Sequence, residues 1–567
     1  MNNKNYFIFA AAIALASCSV DEYMGENPEF TQTTKENIIG FGGNTGSMSR
    51  ATSNEGTTEQ MLDRHFKVYG WKTMSGGTTQ EVFKNYWVWY SETATPSNPE
   101  TTASSEKSWE YVGTTNTGMP FGTSRTLYQN QYIKYWDYSA EHYRFVAGTP
   151  ENQVDFNFDG TNVTKATVTG LAGHIAPSAS ATSKSQTPVY ISAPIQITKN
   201  STPTKYGEAV KLTFTRLQTK VRVGIYETIP GYSIESIEFY SHDGSKTEDN
   251  KNNVTLYSAT ENYFTGGSKV EATVNYTWGN TPTYTLEYSQ AGGATETGAF
   301  VQLKNWYGGK FANGIPAQSS IPSGENKIEK LYGKDTDMDG ETGYFTVLPT
   351  ETGTDPSALT IKCDFTLESD DNSGEKIYVK GATAAIPAEY CKWGDNKMYT
   401  YIFKISQETN GHTGDENHPG LFPITFDAAA VATDQGTETI VQAPSITTHQ
   451  AGSVTNNGIE YKTGENIEIT VMKDGVLQVL NNSSTPSISE GYIAVYKLTG
   501  EKTEAQLTVT APTETAVSSL NVETNKASFI PDADAYYAIQ YCYSVTDSKS
   551  VYKYKVIKVG NPTSSGS

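Results

Sequence analysis

The sequence has 567 residues with a formal net charge of −20 at pH 7, and only 18% of its residues are charged. This acidic balance argues against nucleic acid as a partner, because phosphate binding requires a basic surface and the Lys and Arg residues form no cluster. Tyr outnumbers Phe, 37 against 21, in a chain rich in Thr, Ser and Gly, and this composition favours half-exposed strands joined by turns, so we predict an all-β protein.

The first residues predict export. A single Lys precedes an apolar run over residues 6–16, which is shorter than the roughly 20 apolar residues of a membrane-spanning helix and suits a signal peptide over residues 1–17. The tetrapeptide Leu-Ala-Ser-Cys that ends at Cys18 resembles the bacterial lipobox, whose Cys becomes the lipid-modified N-terminus. The acidic pair Asp21-Glu22 resembles the surface-export signal of Bacteroidetes lipoproteins. A plain signal peptide with an incidental Cys is the less favoured alternative.

A short apolar segment and a basic residue come next. Ile38, Ile39 and Phe41 can form one short β-strand, and a loop of Gly, Asn and Ser leads from it to Arg50-Ala51. Such a loop is polar and flexible, so a trypsin-like or Arg-specific protease can reach the bond after Arg50. The sequence therefore predicts a proteolytic cleavage site directly after a separable strand.

Cleavage after Arg50 would detach this strand within a propeptide over residues 18–50. A β-sandwich that loses a strand keeps a hydrophobic groove and two unpaired edges, and strand addition from a neighbouring chain is a known recognition mode. We therefore expect the cleaved chain to accept a strand from another molecule and to polymerise. The length that remains suits three domains at roughly 100 to 200 residues each.

Aromatic residues are dense in the first strands after the cleavage site. Trp87 and Trp89 share one face of a predicted strand, with Tyr and Val residues on the other face. Such a face could form a sugar-stacking platform, with Trp136 as a further candidate. We favour the alternative in which both faces are covered inside a sandwich.

The alternation of apolar and polar residues is clearest in the run that precedes the Ile-Pro-Gly turn. Val221, Val223 and Ile225 alternate there with Lys220 and Arg222. An alternation with a period of two is typical of a strand that has one face on the core and one face in water. We therefore predict antiparallel strands that are buried on one side only.

These strand patterns resemble a known family. The runs Tyr-Trp-Asp-Tyr-Ser-Ala at residues 135–140, Tyr-Arg-Phe at 143–145 and Leu-Thr-Phe-Thr-Arg-Leu-Gln-Thr-Lys-Val-Arg-Val at 212–223 resemble the N-terminal domain of the Bacteroidetes fimbrillin family, the subunits of type V pili. Later runs are similar to strands of the second fimbrillin domain, at residues 344–349, 359–363, 393–403 and 424–427.

The resemblance covers about residues 18–445. It implies two fimbrillin-type, transthyretin-like β-sandwich domains, an N-terminal one over residues 51–228 and a C-terminal one over residues 229–445. The chain departs from the family after its Phe-Asp strand, where the family often has a Trp and this chain reads Ala-Thr-Asp-Gln at residues 432–435. The family pattern therefore does not identify the last strand of the second domain.

The resemblance also implies a route of assembly. Subunits of this family travel as lipoproteins, an Arg-specific protease removes the lipidated leader with its first strand, and a donor strand from another subunit fills the vacated groove. In this sequence Cys18 would carry the lipid, a palmitate, and the bond between Arg50 and Ala51 would be cut. We expect a precursor that is lipid-anchored to the outer membrane and a mature chain in a cell-surface pilus. An anchor subunit would keep its leader, so Arg50 argues against that role.

From residue 446 the chain continues into a region that the two-domain fimbrillin lacks, and we recognise no family in it. Strand-like runs are predicted at residues 467–471, 476–480, 492–498, 506–510, 536–545 and 551–559. They suit a third, Ig-like β-sandwich over residues 446–567, although the Cys-Trp-Cys signature is missing.

The last of these runs, residues 551–559, has two interpretations. It could be a donor strand for another subunit, because it is a run of good β-formers. It could instead be the last strand of the third domain, and we favour this interpretation because the run has a hairpin partner just before it. The protein would then accept a strand and offer none, which predicts a place at the pilus tip with the extra domain exposed for adhesion.

Two loops have the composition of metal sites. Asp335, Asp337 and Asp339 have the spacing of the first half of a calcium loop, but its twelfth position is Thr346 rather than Glu. The second loop contains His412, Asp415, Glu416 and His418. Nothing in the sequence completes a coordination shell there. We favour solvated loops in both cases and predict no metal.

Beyond Cys18 the chain has only Cys363, Cys391 and Cys542, too few for the disulfide scaffold of an exported protein. Cys363 lies on the apolar face of an alternating strand, so we expect it to be buried. We favour free thiols over a disulfide between Cys363 and Cys391, because the sequence cannot show whether their Cα atoms approach within roughly 7 Å.

The sequence contains no zinc-protease motif, nucleophile elbow, phosphate loop or dinucleotide fingerprint, so we predict neither an enzyme nor a cofactor. The favoured function is a structural and adhesive pilus subunit at the tip or in an accessory position. Its partners would be other pilus subunits, an Arg-specific maturation protease and a host or bacterial surface receptor. The alternatives are a shaft fimbrillin that donates its C-terminal strand, and a surface glycan-binding lipoprotein that begins at Cys18 rather than at Ala51.

Overall fold

The structure is a computed structural model of the chain. The residues it describes are 22–23, 38–42, 58–91, 108–111, 131–172, 188–202, 204–227, 229–241, 243–246, 254–260, 263–264, 269–290, 297–298, 300–303, 307–310, 345–350, 357–405, 425–433, 439–451, 460–473, 475–482, 489–546 and 549–560. Nearly all of the regular structure in these ranges is β, so the prediction of an all-β chain is confirmed. Within the same ranges no helix has the length and apolar character needed to cross a membrane.

The first strands of the chain are β1 (Glu22–Tyr23), β2 (Phe41–Gly42), β3 (His65–Met74), β4 (Thr79–Ser91), β5 (Ser108–Glu110), β6 (Ala140–Thr149), β7 (Val154–Phe158), β8 (Val163–Ala172), β9 (Tyr190–Ser192), β10 (Ile195–Ile197), β11 (Val210–Lys211) and β12 (Thr213–Arg216). A short helix, α1 (Thr58–Met61), precedes β3.

The middle of the chain contains β13 (Thr219–Glu227), β14 (Tyr232–Phe239), β15 (Val254–Tyr257), β16 (Tyr263–Phe264), β17 (Lys269–Thr277), β18 (Thr283–Gln290), β19 (Thr297–Gly298), β20 (Phe300–Leu303), β21 (Tyr307–Lys310), β22 (Phe345–Val347), β23 (Leu359–Ser369), β24 (Lys376–Ile386), β25 (Lys397–Ile405), β26 (Thr425–Thr433) and β27 (Thr439–Gln442). A single 3-10 turn (Ala388–Tyr390) follows β24.

The last part of the chain contains β28 (Ser445–Gln450), β29 (Glu460–Lys462), β30 (Ile467–Lys473), β31 (Val476–Leu477), β32 (Ile493–Lys497), β33 (Asn521–Val522), β34 (Ala527–Phe529), β35 (Ala535–Thr546) and β36 (Lys549–Gly560). A second helix, α2 (Glu504–Val509), lies between β32 and β33.

The first sheet has its two sides joined by the chain itself, and we call it the closed sheet. Its strand order is β1-β12-β9-β6-β3-β4-β5-β2-β11, and β10 pairs with β6. Only Leu212 separates β11 from β12, so the two sides of the sheet are joined by one continuous piece of chain. Large apolar side chains fill the inside of this closed sheet, among them Phe66, Phe83, Phe145 and Phe214. Here β2 is the element that completes the sheet between β5 and β11.

A second sheet packs on the outer face of the closed sheet. Its order is β18-β17-β8-β7, so a hairpin from the middle of the chain pairs with strands from the first part. Tyr69, Trp71 and Val146 of the closed sheet pack here against Val168 and Val274. The region we predicted as one second domain, residues 229–445, therefore contributes to two separate groups of sheets.

The middle strands form a sandwich of two sheets. One has the order β21-β13-β25-β26-β27 with β22 on β13, and the other has the order β14-β23-β15-β20 with β24 on β23. Along β23 the residues Leu359, Ile361, Cys363 and Phe365 are buried and the residues between them are half-buried. The predicted alternation of this strand is therefore confirmed.

The strand β13 differs from the prediction in two respects. Every residue from Thr219 to Glu227 is buried, so Lys220 and Arg222 lie inside the protein rather than in water. The strand also runs parallel to β25 over eight paired positions, not antiparallel. A polar side chain can be buried where it has a partner, and the Arg222 guanidinium donates a hydrogen bond of 2.8 Å to the Thr400 hydroxyl on β25.

The last strands form a third sandwich, with the orders β28-β30-β34-β33 and β29-β36-β35-β32. The predicted strand at residues 506–510 is wrong, because α2 covers most of this run. Thr503 accepts a hydrogen bond from the Gln506 backbone N–H, and the Gln506 side chain accepts one from the Thr503 N–H. This capping box satisfies two N–H groups at the start of the helix, and it favours the helix over a strand.

Candidate functional site

Residues 38–42 lie in the closed sheet, where Phe41 and Gly42 form β2, a shorter strand than the one predicted from Ile38 to Phe41. Phe41 pairs with Trp109 of β5 in an antiparallel arrangement and with Val210 of β11 in a parallel one. Ile38 forms a single antiparallel bridge with Tyr135. The segment is therefore held on both sides by strands that are distant in the sequence.

Backbone groups of this segment form hydrogen bonds with the chain on both of its sides. The Ile39 N–H donates to the Lys134 carbonyl at 2.8 Å, and the Val210 N–H donates to the Gly40 carbonyl at 2.8 Å. The Tyr111 hydroxyl donates to the Ile39 carbonyl at 2.7 Å. These contacts do not depend on the side chains of the segment, so any extended chain in the same position could make them.

Side chains of the segment supply part of the core. Ile39 is 0% exposed and Phe41 is 2% exposed. The Phe41 ring is surrounded by four aromatic rings whose centroids lie 5.9, 5.4, 5.9 and 6.1 Å away, those of Phe66, Phe83, Tyr111 and Phe145. All four contacts are edge-on, the arrangement that aromatic quadrupoles favour. We call these four residues the aromatic cage.

Tyr111 links the cage to the backbone of the segment. Its side chain is 0% exposed, and its hydroxyl accepts a hydrogen bond from the Lys134 N–H at 3.1 Å while it donates to Ile39. Burial raises the pKa of the Tyr111 hydroxyl well above its usual range, so this group stays protonated and remains a donor.

The loop beside the segment is held by other contacts. The Gln131 side chain accepts a hydrogen bond from the Trp87 N–H at 2.7 Å and donates to the Trp87 carbonyl at 2.9 Å. It also donates to the Tyr111 carbonyl at 2.6 Å. These bonds attach the start of the loop that contains Lys134 to β4. The Lys134 carbonyl would therefore stay in place if the segment were removed.

The chain before residue 50 makes a second contact with the closed sheet that the sequence did not indicate. Glu22 and Tyr23 form β1, which pairs antiparallel with Phe214 and Thr213 of β12. Both β1 and β2 precede Arg50, so cleavage there would separate both strands from the rest of the chain. Cys18, Arg50 and Ala51 themselves lie outside the described residues.

The Trp residues proposed as a sugar platform lie mostly in the interior. Trp89 and Trp136 are buried, and Trp136 stacks on Tyr206 at a centroid distance of 5.0 Å. Trp87 is half-buried and lies parallel to the His65 ring at 6.2 Å. The interpretation with both faces covered is therefore correct for Trp89 and Trp136, whereas Trp87 is only partly covered. Exposed aromatic side chains among the described residues nearby are Tyr132, Tyr135 and Tyr138, at 65%, 57% and 45%.

Both candidate metal loops lie outside the described residues, the one with Asp335, Asp337 and Asp339 and the one with His412, Asp415, Glu416 and His418. Within the part of the chain that the structure describes, no group of three or more His, Cys, Asp or Glu side chains could hold a metal ion. The three described Cys residues, Cys363, Cys391 and Cys542, are free and buried, which confirms the choice of free thiols.

Sequence reasoning missed the residues that receive the segment. Trp109, Tyr111, Gln131 and Val210 come from different parts of the chain and only the fold brings them together. One local signal was present for the first two, because Ser-Trp-Glu-Tyr at residues 108–111 alternates polar and aromatic residues as a half-buried strand does.

The fold and the site define an all-β chain whose first core is completed by a short strand, β2, from the N-terminal part of the chain. No protein-family model matches the chain, and no curated protein matches it in sequence. Solved structures do match. One is a fimbrial protein from Bacteroides vulgatus, with 13% identity and a TM-score of 0.34 over 72% of this chain and 99% of that chain.

A candidate cell adhesion protein from Bacteroides uniformis is 13% identical, with a TM-score of 0.26 over 72% of this chain and 99% of that one. The fimbrial anchor protein Mfa2 from Porphyromonas gingivalis is 6% identical, with a TM-score of 0.22 over 72% of this chain and 98% of that one. These solved structures are of fimbrial and cell adhesion proteins.

Proposed function

We propose that this chain is a structural and adhesive subunit of a type V pilus, which is exported as a lipoprotein, cleaved after Arg50 and completed by a β-strand from another subunit. The observation that supports the proposal is the position of β2. A two-residue strand completes the closed sheet between β5 and β11, and the chain that follows it contains Arg50. A single cut could therefore release a part of the core.

Loss of the segment would leave a site that favours replacement by another strand. The Val210 N–H, the Lys134 carbonyl and the Tyr111 hydroxyl would each lose a hydrogen-bond partner. A buried polar group left without a partner costs about 1–3 kcal/mol, and the loss of two buried apolar side chains adds to this. A strand from another molecule would restore both contributions, as in other cases of strand addition.

The end of the chain supports a tip or accessory position. The run at residues 551–559 lies within β36, which pairs with β35 on one side and with β29 on the other. Val551 and Val559 face the core between the sheets, whereas Tyr554 and Val556 pack with Leu507 of α2 on the other face. The run is paired with β35 along its length, is paired with β29 at its last residues and is packed on both faces, so it is not free to enter another subunit, and we infer an acceptor that offers no strand from this run.

The proposal is tested by changing Arg50 to Ala in the native host, with Lys35 to Ala as the matched control. Lys35 is the nearest basic residue before the segment. We expect the Arg50 variant to fold, to keep its lipid at Cys18 and to remain at the outer membrane outside filaments. The Lys35 variant and the wild type should yield chains that begin at Ala51.

N-terminal sequencing and lipid labelling provide the readout. Normal filaments that contain the Arg50 variant would contradict the proposal. A wild-type surface protein that begins at Cys18 would instead favour the glycan-binding lipoprotein, since that protein would keep its anchor.

A further inference from the structure

We propose that the groove which β2 occupies selects its incoming strand by sequence, and that it takes an extended segment with an aliphatic residue followed two positions later by an aromatic residue. This inference rests on the proposed function and adds the chemistry of the partner. The aromatic cage receives the aromatic residue and so sets the register, and the Tyr111 hydroxyl binds the backbone carbonyl two residues before it.

The cage rings have other contacts besides Phe41: Phe83 contacts two other cage rings, and Phe66 packs on a ring outside the cage. The Phe83 ring lies 5.2 Å from the Tyr111 ring and 6.0 Å from the Phe145 ring. The Phe66 ring lies 5.3 Å from Phe214, on the opposite side of the closed sheet. These rings belong to different strands, so they cannot all move inward to fill the space that Phe41 leaves. A small side chain in this position would leave a cavity.

The register is defined by the aromatic cage together with the Tyr111 hydroxyl. Its hydroxyl bonds to the carbonyl of Ile39, two residues before the residue that enters the cage. Side chains two positions apart lie on the same face of a strand, so Ile39 and Phe41 both point into the core. If the segment shifted by one residue, a residue that faces outward would point toward the cage. If it shifted by two residues, a different inward-facing residue would occupy the cage.

The middle position of the motif, occupied by Gly40, has free space beside it. A Cβ built on Gly40 meets no atom within 4 Å. The residue between the aliphatic and the aromatic positions is therefore not selected by its size. The partner is thus a peptide segment of the pattern aliphatic, any residue, aromatic, carried by another polypeptide chain.

The test uses the full chain, folded and then cleaved after Arg50 with an Arg-specific protease. A fluorescent peptide of residues 37–44 is allowed to exchange into the groove, and unlabelled peptides compete for it. We expect a Phe41→Ala peptide to compete about 100-fold or more weakly than the native peptide, because a large aromatic side chain is lost from a cavity that does not collapse. A Phe41→Tyr or Phe41→Trp peptide should lose much less affinity than the Ala peptide. A Gly40→Ala peptide should bind with the affinity of the native one.

A second experiment examines the register. Tyr111→Phe in the chain keeps the ring and removes the hydroxyl. It should lower the affinity for the native peptide about five- to tenfold, the effect of one hydrogen bond. Tyr86→Phe is the matched control, because the Tyr86 hydroxyl accepts from the Tyr132 N–H and not from the segment. It should leave peptide affinity unchanged.

The outcomes separate this inference from the function on which it rests. If the Phe41→Ala peptide competes as well as the native one, the groove accepts strands without selecting an aromatic residue, and the inference is wrong while the proposed function stands. If Tyr111→Phe and Tyr86→Phe have equal effects, the register role of Tyr111 is wrong. If no peptide enters the cleaved chain, the native one included, both the inference and the proposed function fail.

Discussion

The ammonium group of Lys553 donates a hydrogen bond of 3.4 Å to the backbone carbonyl oxygen of Phe426, and so joins the last strand of the third sandwich to β26 of the second. Around this contact α2 lies against both β24 and β36. Buried apolar residues continue from the second sandwich into the third without a break, from Val221 to Val559. The C-terminal region is therefore packed on the rest of the protein rather than tethered to it.

Deletion of residues 551–567 should unfold the third sandwich. β36 lies between β29 and β35, and its loss would expose apolar side chains on both of its faces. Hydrogen exchange of the β35 amides measures this, with deletion of residues 561–567 alone as the control. If β35 stays protected and only the capacity to join a further subunit is lost, the run is a donor strand and the protein belongs in the pilus shaft.

Phe41→Ala in the uncleaved chain should lower the free energy of unfolding of the closed sheet by about 3–5 kcal/mol, as for other large aromatic residues replaced in a core. Chemical denaturation of the precursor followed by Trp fluorescence measures this, because Trp109 packs against Phe66 beside the cage. Ile38→Ala is the control, since Ile38 is only half-buried and should cost less. Equal effects of the two changes would show that the cage is not the main source of stability at this site.

Thr503→Ala should lower the free energy of unfolding of the third sandwich by about 1 kcal/mol, because it removes one half of the capping box at the start of α2. The exposed Thr515 provides a control at a position without a helix. Thermal denaturation of the two variants compares the effects. A Thr503 variant as stable as the Thr515→Ala variant would mean that packing alone holds α2 in place.

Glu514 should make the third sandwich sensitive to acid. Burial alone raises the pKa of this carboxyl, but hydrogen bonds from its own backbone, from Thr499 and from Lys502 outweigh burial and lower the pKa to about 2 from the ordinary 4.5. A carboxyl with a lowered folded-state pKa stabilises the fold above its unfolded pKa, and this stabilisation is lost as the pH falls from about 4.5 to about 2.

Glu514→Gln should therefore reduce stability at neutral pH by about 1–3 kcal/mol and remove this part of the acid dependence. Urea denaturation at a series of pH values tests both statements, with the exposed Glu523→Gln as the control. The prediction is wrong if the Glu514 variant and the wild type lose stability in parallel over this range.

The three described thiols should be free and unreactive in the folded protein. Burial raises the pKa values of Cys363, Cys391 and Cys542, and the thiolate rather than the thiol reacts with alkylating reagents. We expect labelling only after unfolding, as measured by mass spectrometry without a reducing agent. A linked peptide of Cys363 and Cys391 would overturn the assignment of free thiols.

Local patterns in the sequence were sufficient to predict the buried face of β23, and near Ile38, Ile39 and Phe41 they predicted a longer strand than the two residues of β2. In a strand, adjacent residues lie on opposite faces, so the alternation along a few residues already reports which face is buried. The same logic failed at residues 506–510. A short run can satisfy a strand pattern, and the capping box that starts at Thr503 was the competing local signal.

Only the tertiary structure decided which strands meet. The parallel pairing of β13 with β25 and the pairing of β17 with β8 join segments that are far apart in the chain. The aromatic cage likewise combines side chains of β3, β4 and β6 with Tyr111. Hydrogen bonds between strands are made by backbone groups that every residue except Pro carries, so a local sequence pattern does not identify the partner. The partner is chosen by the packing of side chains in the shared core, and this packing exists only once the distant segments have met.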